Sequence, residues 1–394
     1  MRLRFQSTRR GAIFFGASSV LAQVASGRQT AEPYIRGVGT SERKRITEIG
    51  EAFRQKYGLP GVSLAMSFRG RLKLLACFGY ANTEARTTVR PEHQFRIASV
   101  SKPITAVAIL RLVQAGKLQL SERVFSANGH LARYATHVAD GKQAERLKLV
   151  KLRHLLEHTS GGWSNQGGEA PMFAKEALGL KHADLIRWTL SNRMLKTEPG
   201  LKYAYSNFGY CLLGRVIESV TGKSYEEAVQ QLVLSRVKAN DTFIGAHKRE
   251  NRRTNEVVYY DKYDPYGDSM DVARMDAHGG WISTPSDLVR FAQHIDGFAN
   301  PKDILSARTI RAMTTPSMGN YALGWNVNQS NNWWHGGSFN GGSSILARIH
   351  DGHCWAVVVN TRSYESDYSS ALDQFPWQIK GCVKRWGTQN LFAT

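Results

Sequence analysis

Apolar and polar residues alternate along one stretch near the start of the chain. Every second residue is apolar from position 62 to 68, Arg69-Gly70 follows, and the alternation resumes from 72 to 78. A period of two residues is typical of a strand that buries one face, and a glycine-containing dipeptide between two such runs indicates a tight turn. The pattern predicts a β-hairpin.

A second hairpin is predicted close to the other end of the chain. Segments 345–349 and 354–359 are apolar, and they flank the turn-forming sequence His-Asp-Gly-His at residues 350–353. The stretch 369–386 that follows has helical character, and we expect Pro376 to interrupt or kink it because proline lacks a backbone N–H.

Between the two hairpins the pattern changes to a helical period. A first helix is predicted from Ser41, as its N-cap, to about Tyr57, and residues 103–248 are mainly helical in pattern. Strands at both ends with helices between them indicate the α/β (α+β) class. We expect one antiparallel sheet flanked by helices, plus a helical region, in a single catalytic domain over residues 41–394.

The N-terminal segment has the pattern of a targeting sequence. Residues 1–27 contain four arginines and no acidic residue, and the apolar run 11–25 ends in small residues. This predicts a signal peptide over 1–27 and a polar linker over 28–40, with export to the periplasm or beyond. The pair Arg9-Arg10 leaves open whether the signal is of the Sec or the twin-arginine type. The alternative is an N-terminal amphipathic or core helix.

The strong positive charge of the chain suggests an anionic partner, but the sequence does not favour a nucleic acid. The chain carries a formal charge of +20, but its lysines and arginines are scattered and match no nucleic-acid-binding motif. A solvated basic surface that favours contact with anionic envelope polymers or lipids accounts for the same composition. The sequence does not determine the oligomeric state.

Histidine and cysteine spacing offers no metal or redox centre. The twelve histidines include no HExxH pair, so we expect neither a metal nor another cofactor. The cysteines have no CxxC spacing, which favours isolated buried thiols over disulfides and leaves any pairing undetermined. They are Cys77, Cys211, Cys354 and Cys382.

The strongest chemical signal lies at Ser99 and Lys102. Pro103 follows them at the predicted start of an apolar helix, so both side chains lie on one face of its first turn. A serine hydroxyl becomes a useful nucleophile when a nearby base takes its proton, and a buried lysine with a lowered pKa can be that base. SxxK is common by chance, and the alternative is an N-capping serine beside a surface lysine.

Two further motifs follow in order along the chain. Residues 205–207 read Tyr-Ser-Asn, and residues 335–338 read His-Gly-Gly-Ser. The order SxxK, YxN and [K/H]xG resembles the serine β-lactamase and penicillin-binding protein family, specifically its class C-like branch. Segments 155–161, 205–210 and 279–284 resemble the family patterns LLxHTSG, YSNxGY and GGxxST. The resemblance covers about residues 45 to 385.

The resemblance implies a role for each motif residue. Ser99 would be acylated, Lys102 would share in deprotonating it, and Tyr205 would shuttle a proton through a phenol whose pKa the lysine charge lowers. Asn207 would bind Lys102 and the substrate. The backbone N–H groups of Ser99 and Ser338 would form the oxyanion hole.

The third motif departs from the lysine version of the family pattern. His335 replaces a fixed cation, and Gly336 replaces a hydroxyl residue, which weakens recognition of a β-lactam carboxylate. Gly336 and Gly337 would let this strand approach the substrate. We therefore expect an esterase or D-alanyl carboxypeptidase-like hydrolase of a small-molecule or peptidoglycan-type substrate. The alternatives are a class C-like β-lactamase and a non-enzymatic penicillin-binding or sensor protein.

Several other residues have equally plain structural interpretations. His158 is expected to pack rather than catalyse, and His278 fits a pocket wall or a structural role. Segment 161–174 is the expected rim loop of the site, although a plain connector would look the same. Four tryptophans fit either a substrate rim or the core: Trp281, Trp325, Trp333 and Trp334.

Overall fold

Strands from both ends of the chain form one antiparallel sheet. The computed structural model describes residues 31–136, 138–168 and 170–393. The predicted signal peptide and the start of the predicted linker lie outside these residues. The strands are β1 (Tyr34–Arg36), β2 (Gly61–Phe68), β3 (Arg71–Asn82), β4 (Thr87–Thr88), β5 (Phe95–Arg96), β6 (Phe243–Ile244), β7 (Trp281–Ser283), β8 (Asn326–Val327), β9 (Trp333–Phe339), β10 (Gly342–Arg348) and β11 (His353–Val359).

The main sheet has the strand order β1-β3-β2-β11-β10-β9-β8, and β4 pairs with β3 beside it. At its centre β2 pairs with β11, in a register that places Phe68 opposite His353 and Val62 opposite Val359. The two predicted hairpins, β2–β3 and β10–β11, are therefore joined edge to edge. A small second sheet, β5-β7-β6, lies next to the start of the second helix.

The helices pack on the two faces of the sheet, and most of them lie between the two hairpins in the sequence. They are α1 (Thr40–Lys56), α2 (Ser101–Gln114), α3 (Ala132–Ala135), α4 (Gly141–Lys148), α5 (Leu152–Leu156), α6 (His182–Asn192), α7 (Asn207–Thr221), α8 (Tyr225–Val229), α9 (Asp276–Gly279), α10 (Pro285–Gln293), α11 (Ala307–Met313) and α12 (Tyr368–Cys382).

Each face of the sheet has its own apolar core. On one face α1 and α12 pack together, and the rings of Phe53 and Phe375 stack with centroids 4.4 Å apart. On the other face α10 and the helical region cover the sheet around α2, whose residues from Ser101 to Leu110 are all buried. Because α2 is apolar on every side, it lies in the middle of the molecule and holds its first turn rigidly.

The fold class and the main elements are confirmed, with three differences. The first helix begins at Thr40 with Gly39 as its N-cap, so Ser41 lies inside the helix and does not cap it. Residues 34–36 of the predicted linker form β1, which pairs with β3 and places Tyr34 opposite Cys77. Helix α12 continues through Pro376, so of the two expected effects, interruption or a kink, the interruption is wrong. Its residues Phe375 and Pro376 are both buried, and packing outweighs the missing N–H.

The cysteines and the hydropathy of the helices add two findings. All four thiols are free and buried, as the favoured interpretation predicted. Among the described residues, no helix has the length and apolarity that a membrane span requires.

Candidate active site

A short turn between β5 and α2 presents Ser99. Ala98 adopts a φ of 46°, a left-handed conformation that costs an alanine energy, and residues Ala98–Val100 form a single 3₁₀ turn. Ala98 and Val100 are fully buried, whereas Ser99 is only partly buried. The strained turn therefore leaves the Ser99 hydroxyl partly exposed between two buried neighbours.

Lys102 lies one turn further on with its amine wholly inside the protein. Its Nζ lies 3.1 Å from Ser99 Oγ, 2.7 Å from Asn207 Oδ1 and 2.8 Å from the backbone oxygen of His278. Burial lowers the pKa of Lys102 well below its usual value of 10.5, because a charged amine there has lost its water.

The partners of Lys102 fix how a neutral amine is oriented. Asn207 Oδ1 and the carbonyl of His278 can only accept, so they take the two hydrogens of a neutral amine. The lone pair then faces the third partner, Ser99, whose hydroxyl can donate. In this geometry a neutral Lys102 amine is able to accept a hydrogen bond from the Ser99 hydroxyl.

Tyr205 and Asn207 reach the site from the start of α7. The Ser206 side chain caps this helix by accepting from the N–H of Gly209. Asn165, in the predicted rim loop, donates its N–H to the Tyr205 carbonyl and accepts the N–H of Asn207 at its Oδ1. Both ends of the YxN motif are thereby fixed to the loop, which is more than a plain connector.

The Tyr205 phenol differs from our expectation. It lies within hydrogen-bonding reach of Ser99, and its ring is 4.8 Å from Lys102 Nζ. The expected lowering of its pKa is wrong: burial raises the pKa above its ordinary value, although the Ser99 contact opposes the rise. Tyr205 therefore keeps its proton at neutral pH and is able to donate a hydrogen bond.

Strand β9 forms the opposite wall of the site. A Cβ on Gly337 would lie 2.5 Å from the Ile97 carbonyl oxygen and 2.9 Å from the Ser99 nitrogen, so only glycine allows this approach. Gly336 is different, since its nearest atom would be 3.9 Å away. Gly336 and Ser338 are both exposed on this strand. The close approach places β9 beside the Ser99 backbone N–H, where an oxyanion site requires a second donor.

His335 faces the interior as a neutral ring. Its Nδ1 donates to the Gly336 carbonyl at 2.7 Å, and its Nε2 accepts from the Tyr321 hydroxyl at 3.0 Å. Burial, with a smaller contribution from the nearby Lys102, lowers the pKa of His335 to about 3. The third motif therefore presents no positive charge at neutral pH.

A buried polar network holds the helices around Lys102. Arg215 on α7 donates to Asp276 on α9 at 2.6 Å. Thr105 on α2 donates to the Ala277 carbonyl at 2.6 Å. Both contacts position α9, whose residue His278 supplies the carbonyl that Lys102 needs.

The sequence analysis did not identify three groups that form hydrogen bonds within the site. The His278 carbonyl is backbone and gives no signal in a sequence. Tyr321 and Asn165 stand in segments without a recognisable motif, and their roles follow from contacts between distant parts of the chain. The His278 side chain is buried, and its ring contacts that of Phe173.

The remaining aromatic candidates divide between core and surface. Trp281, Trp325 and Trp333 are buried, whereas Trp334 is partly exposed. His158 packs as expected: its ring lies 4.3 Å from that of Tyr205, and its Nδ1 accepts the N–H of Ser206. In the part of the chain that the structure describes, no group of three or more His, Cys, Asp or Glu side chains is arranged to hold a metal ion.

Comparison with known proteins supports the resemblance. Penicillin-binding protein 4* of Bacillus subtilis (strain 168) is 23% identical over 363 residues, covering 84% of this chain and 74% of that protein. The chain spans 64% of the length of other curated relatives.

Solved structures show the same fold. D-amino acid amidase from Ochrobactrum anthropi SV3 superposes with a TM-score of 0.68 at 24% identity, over 87% of this chain and 98% of that one. EstCE1, a hydrolase with promiscuous acyltransferase activity, gives a TM-score of 0.69 at 19% identity, over 88% and 99%. The model of the Beta-lactamase family matches residues 46–374, and the chain therefore belongs to the Beta-lactamase family.

Proposed function

We propose that this protein is a serine hydrolase that cleaves an ester or amide through a covalent acyl-Ser99 intermediate. The observation that carries the proposal is the position of Lys102 Nζ, 3.1 Å from Ser99 Oγ with its other two contacts to obligate acceptors. Family membership and the amidase and esterase-like neighbours support hydrolysis as the reaction class.

In the acylation step Ser99 Oγ attacks the substrate carbonyl while its proton moves to Lys102 Nζ. Negative charge develops on the carbonyl oxygen, which the N–H groups of Ser99 and Ser338 would stabilise. The protonated Lys102 is then held by its contacts to Asn207 and the His278 carbonyl.

Collapse of the tetrahedral intermediate requires a proton for the leaving group. Tyr205 keeps its phenolic hydrogen and lies beside Ser99, so it can donate that hydrogen and be reprotonated from Lys102. Water then attacks the acyl-Ser99 carbonyl, and the same groups act in reverse order to release the acid.

The charge at the third motif favours an esterase-like activity on neutral groups over a D-alanyl carboxypeptidase-like or class C-like β-lactamase activity, because the substrates of the latter two carry a free carboxylate. His335 is neutral and already bonded to Tyr321 and Gly336, so it offers a substrate carboxylate no cation. An intact set of Ser99, Lys102 and Tyr205 argues against the non-enzymatic alternative.

The test is hydrolysis of a short-chain p-nitrophenyl ester by residues 31–394. We expect turnover and an acyl adduct on intact protein by mass spectrometry, both absent in Ser99→Ala. Ser41→Ala, which removes an exposed serine on α1, is the matched control and keeps full activity. Equal turnover in wild type and Ser99→Ala contradicts the proposal. Inertness of both would make a narrow peptidase or a binding protein the leading hypothesis.

We also propose that the chain is exported and that its substrate is a small molecule or a peptidoglycan-type compound. The charge and apolar pattern of residues 1–27 supports export. Cell fractionation of the full chain, with Edman sequencing of the product, tests it. Full-length protein retained in the cytoplasm would count against export.

A further inference from the structure

Arg96 places a permanent positive charge in the core, three residues before Ser99. Its side chain is fully buried. The guanidinium donates to the Pro265 carbonyl at 2.6 Å and to the Ala246 carbonyl at 3.2 Å. Both acceptors are backbone oxygens of segments distant in the sequence, so this cation links the turn that carries Ser99 to other parts of the chain.

Segment 259–266, which we call the tyrosine segment, packs against the guanidinium. The central carbon of the Arg96 guanidinium lies 4.2 Å from the ring centroid of Tyr259 and 5.1 Å from that of Tyr266. The Arg96 backbone N–H also donates to the Tyr259 hydroxyl at 3.0 Å. Together with the bond to the Pro265 carbonyl, these contacts bind Arg96 to both ends of the tyrosine segment.

The turn between β9 and β10 rests on the tyrosine segment. A Cβ on Gly341 would lie 2.6 Å from Pro265 Cβ and 2.8 Å from Tyr259 Cβ. Gly341 also has a φ of 82°, so only glycine allows the turn to approach this closely. Its N–H donates to Asp261 Oδ2 at 2.9 Å. The residues that Arg96 holds are therefore those on which the turn lies.

This turn directly follows the end of β9. Ser338, whose N–H is the second donor of the proposed oxyanion site, lies three residues before Gly341. The ring of Phe339, the next residue of the strand, is 6.0 Å from the Arg96 guanidinium. Arg96 is thus connected to Ser99 along the main chain and to Ser338 through the tyrosine segment and the turn.

We propose that Arg96 is a positioning residue that holds the Ser338 N–H at its distance from the Ser99 N–H. It does so by fixing the tyrosine segment, on which the end of β9 rests. The inference rests on the proposed function, because two N–H groups stabilise a developing oxyanion only when both are in place. A displacement of about 1 Å in such a site costs about 10²-fold in rate, and it affects the transition state more than the bound substrate.

A second buried arginine makes the same kinds of contact at the other end of β9. Arg348, the last residue of β10, is buried and donates to two backbone carbonyls at 2.9 and 2.8 Å. Its guanidinium lies 4.3 Å from the ring centroids of both Phe298 and Trp333. Trp333 begins β9, about 16 Å from Ser338 at about 3.3 Å per residue. Arg348 therefore matches Arg96 in burial and bonding and differs in position.

The test is the acylation of Arg96→Met by a p-nitrophenyl ester. Methionine is an unbranched apolar side chain, so the substitution removes the charge and the donors of Arg96. Single-turnover stopped-flow kinetics with enzyme in excess separate the acylation rate constant from the dissociation constant of the ester. We expect the rate constant to fall by about 10–10²-fold and the dissociation constant to change by less than about twofold.

Arg348→Met is the matched control. It removes the same number of charges and a similar set of contacts, so the midpoint of thermal unfolding should fall in both variants. Its acylation rate constant should equal that of the wild type. Active protein is counted in every sample by exhaustive labelling with a fluorophosphonate, in which Ser99 Oγ displaces fluoride from phosphorus. A misfolded fraction therefore does not enter the rate constants.

Gly341→Ala tests the same connection from the other side, and it replaces Arg96→Met if that protein does not fold. Its methyl group pushes the turn away from the tyrosine segment, so acylation should slow here as well. Because both substitutions break one link, the loss in the double variant should be smaller than the product of the two single losses.

An unchanged rate constant in Arg96→Met, equal losses in Arg96→Met and Arg348→Met, or a loss confined to the dissociation constant would each overturn the inference. The comparison of wild type with Ser99→Ala is scored separately. Ser99-dependent turnover with no effect of Arg96→Met rejects only the positioning role, whereas turnover that survives in Ser99→Ala rejects the acyl-enzyme proposal itself.

Discussion

At the scale of single residues, the proposed chemistry depends on which of three neighbouring side chains carry a hydrogen: Ser99, Lys102 and Tyr205. Lys102 is buried with two obligate acceptors, and burial lowers its pKa. Tyr205 has a raised pKa and keeps its hydrogen. On the proposed mechanism, burial therefore makes Lys102 the base and Tyr205 the acid, since desolvation disfavours the charged form of both side chains.

Replacement of Lys102 by methionine tests its role as base. We expect the acylation rate of Lys102→Met to fall by about 10²–10⁴-fold. In the wild type the rate should rise with pH as Lys102 loses its proton, with a midpoint well below 10.5, and this rise should vanish in the variant. Stopped-flow rates with a p-nitrophenyl ester across pH measure it. Lys44→Met, at an exposed position, is the control, and an unchanged pH profile in Lys102→Met would refute the assignment.

Replacement of Tyr205 by phenylalanine tests the proton donor. p-Nitrophenolate leaves without protonation, whereas an alkoxide needs a proton. Tyr205→Phe should therefore reduce hydrolysis of an alkyl ester by about 10²-fold or more and affect the p-nitrophenyl ester of the same acid far less. Paired kcat/KM values for the two esters give the ratio. Equal losses on both esters would show that Tyr205 positions groups and does not donate.

At the scale of elements, the site depends on how closely β9 approaches the turn before α2. Ser344 on β10 donates to the Ile97 carbonyl at 2.6 Å, and Gly337 passes beside the same carbonyl. The strand and the turn are thereby held at a separation that any side chain at position 337 would increase.

Alanine at this position should separate strand and turn. Gly337→Ala places a methyl group 2.5 Å from a backbone oxygen, so we expect kcat to fall by about 10²-fold as the oxyanion donors move apart. Gly336→Ala, whose methyl group meets nothing closer than 3.9 Å, is the comparison and should lose much less. Steady-state measurement of kcat for both variants tests this prediction. Similar losses of kcat in the two variants would contradict the role of the close approach between β9 and the turn.

The ion pair between α7 and α9 should affect stability as well as activity. Arg215 and Asp276 are buried, and Glu218 on α7 also pairs with Arg215, so Asp276→Asn removes one of the two carboxylates that compensate the guanidinium. We expect the free energy of unfolding to fall by about 1.5–3 kcal/mol. Urea denaturation followed by circular dichroism measures it, with the exposed ion-pair variant Asp184→Asn as the control. A loss no larger than that of the control would contradict the role of this pair.

Strands and helices whose apolar residues repeat with a clear period were predictable from the sequence, and the other elements were not. Both hairpins follow from alternation, and the SxxK helix follows from Pro103 and its apolar run. Strand β1 has three residues, too few to show a period, and its pairing with β3 depends on distant sequence. The continuity of α12 through Pro376 depends on tertiary packing, which a local rule does not contain.

The features of the site also divide into those that the sequence predicted and those that it did not. The motifs identified the side chains that the structure brings together, because their chemistry is visible in residue type and spacing. The pKa direction of Tyr205 was missed because it depends on burial, which becomes known only with the fold. The backbone carbonyl of His278, which accepts a hydrogen bond from Lys102, cannot be predicted from residue type.

At the scale of the whole molecule, the feature that bears on encounters with surfaces is the net charge. With a formal charge of +20 the chain should associate with anionic vesicles at low salt and dissociate as salt screens the interaction. Sedimentation with vesicles of anionic and of neutral lipid, between 10 and about 300 mM salt, measures this. Binding that is equal on neutral lipid or insensitive to salt would contradict an electrostatic contact.

The pairing of β2 with β11 has a consequence for how the protein comes into being. These partners lie near opposite ends of the chain, and the strand that faces Ser99 is formed from residues 333–339. Contacts between residues so far apart in sequence form slowly, because a long loop must first close. On the proposed mechanism, Ser99 therefore lacks its facing strand until residues 333–359 have been made and β11 has paired with β2. A partly made chain that stops before these residues should then be unable to hydrolyse a substrate.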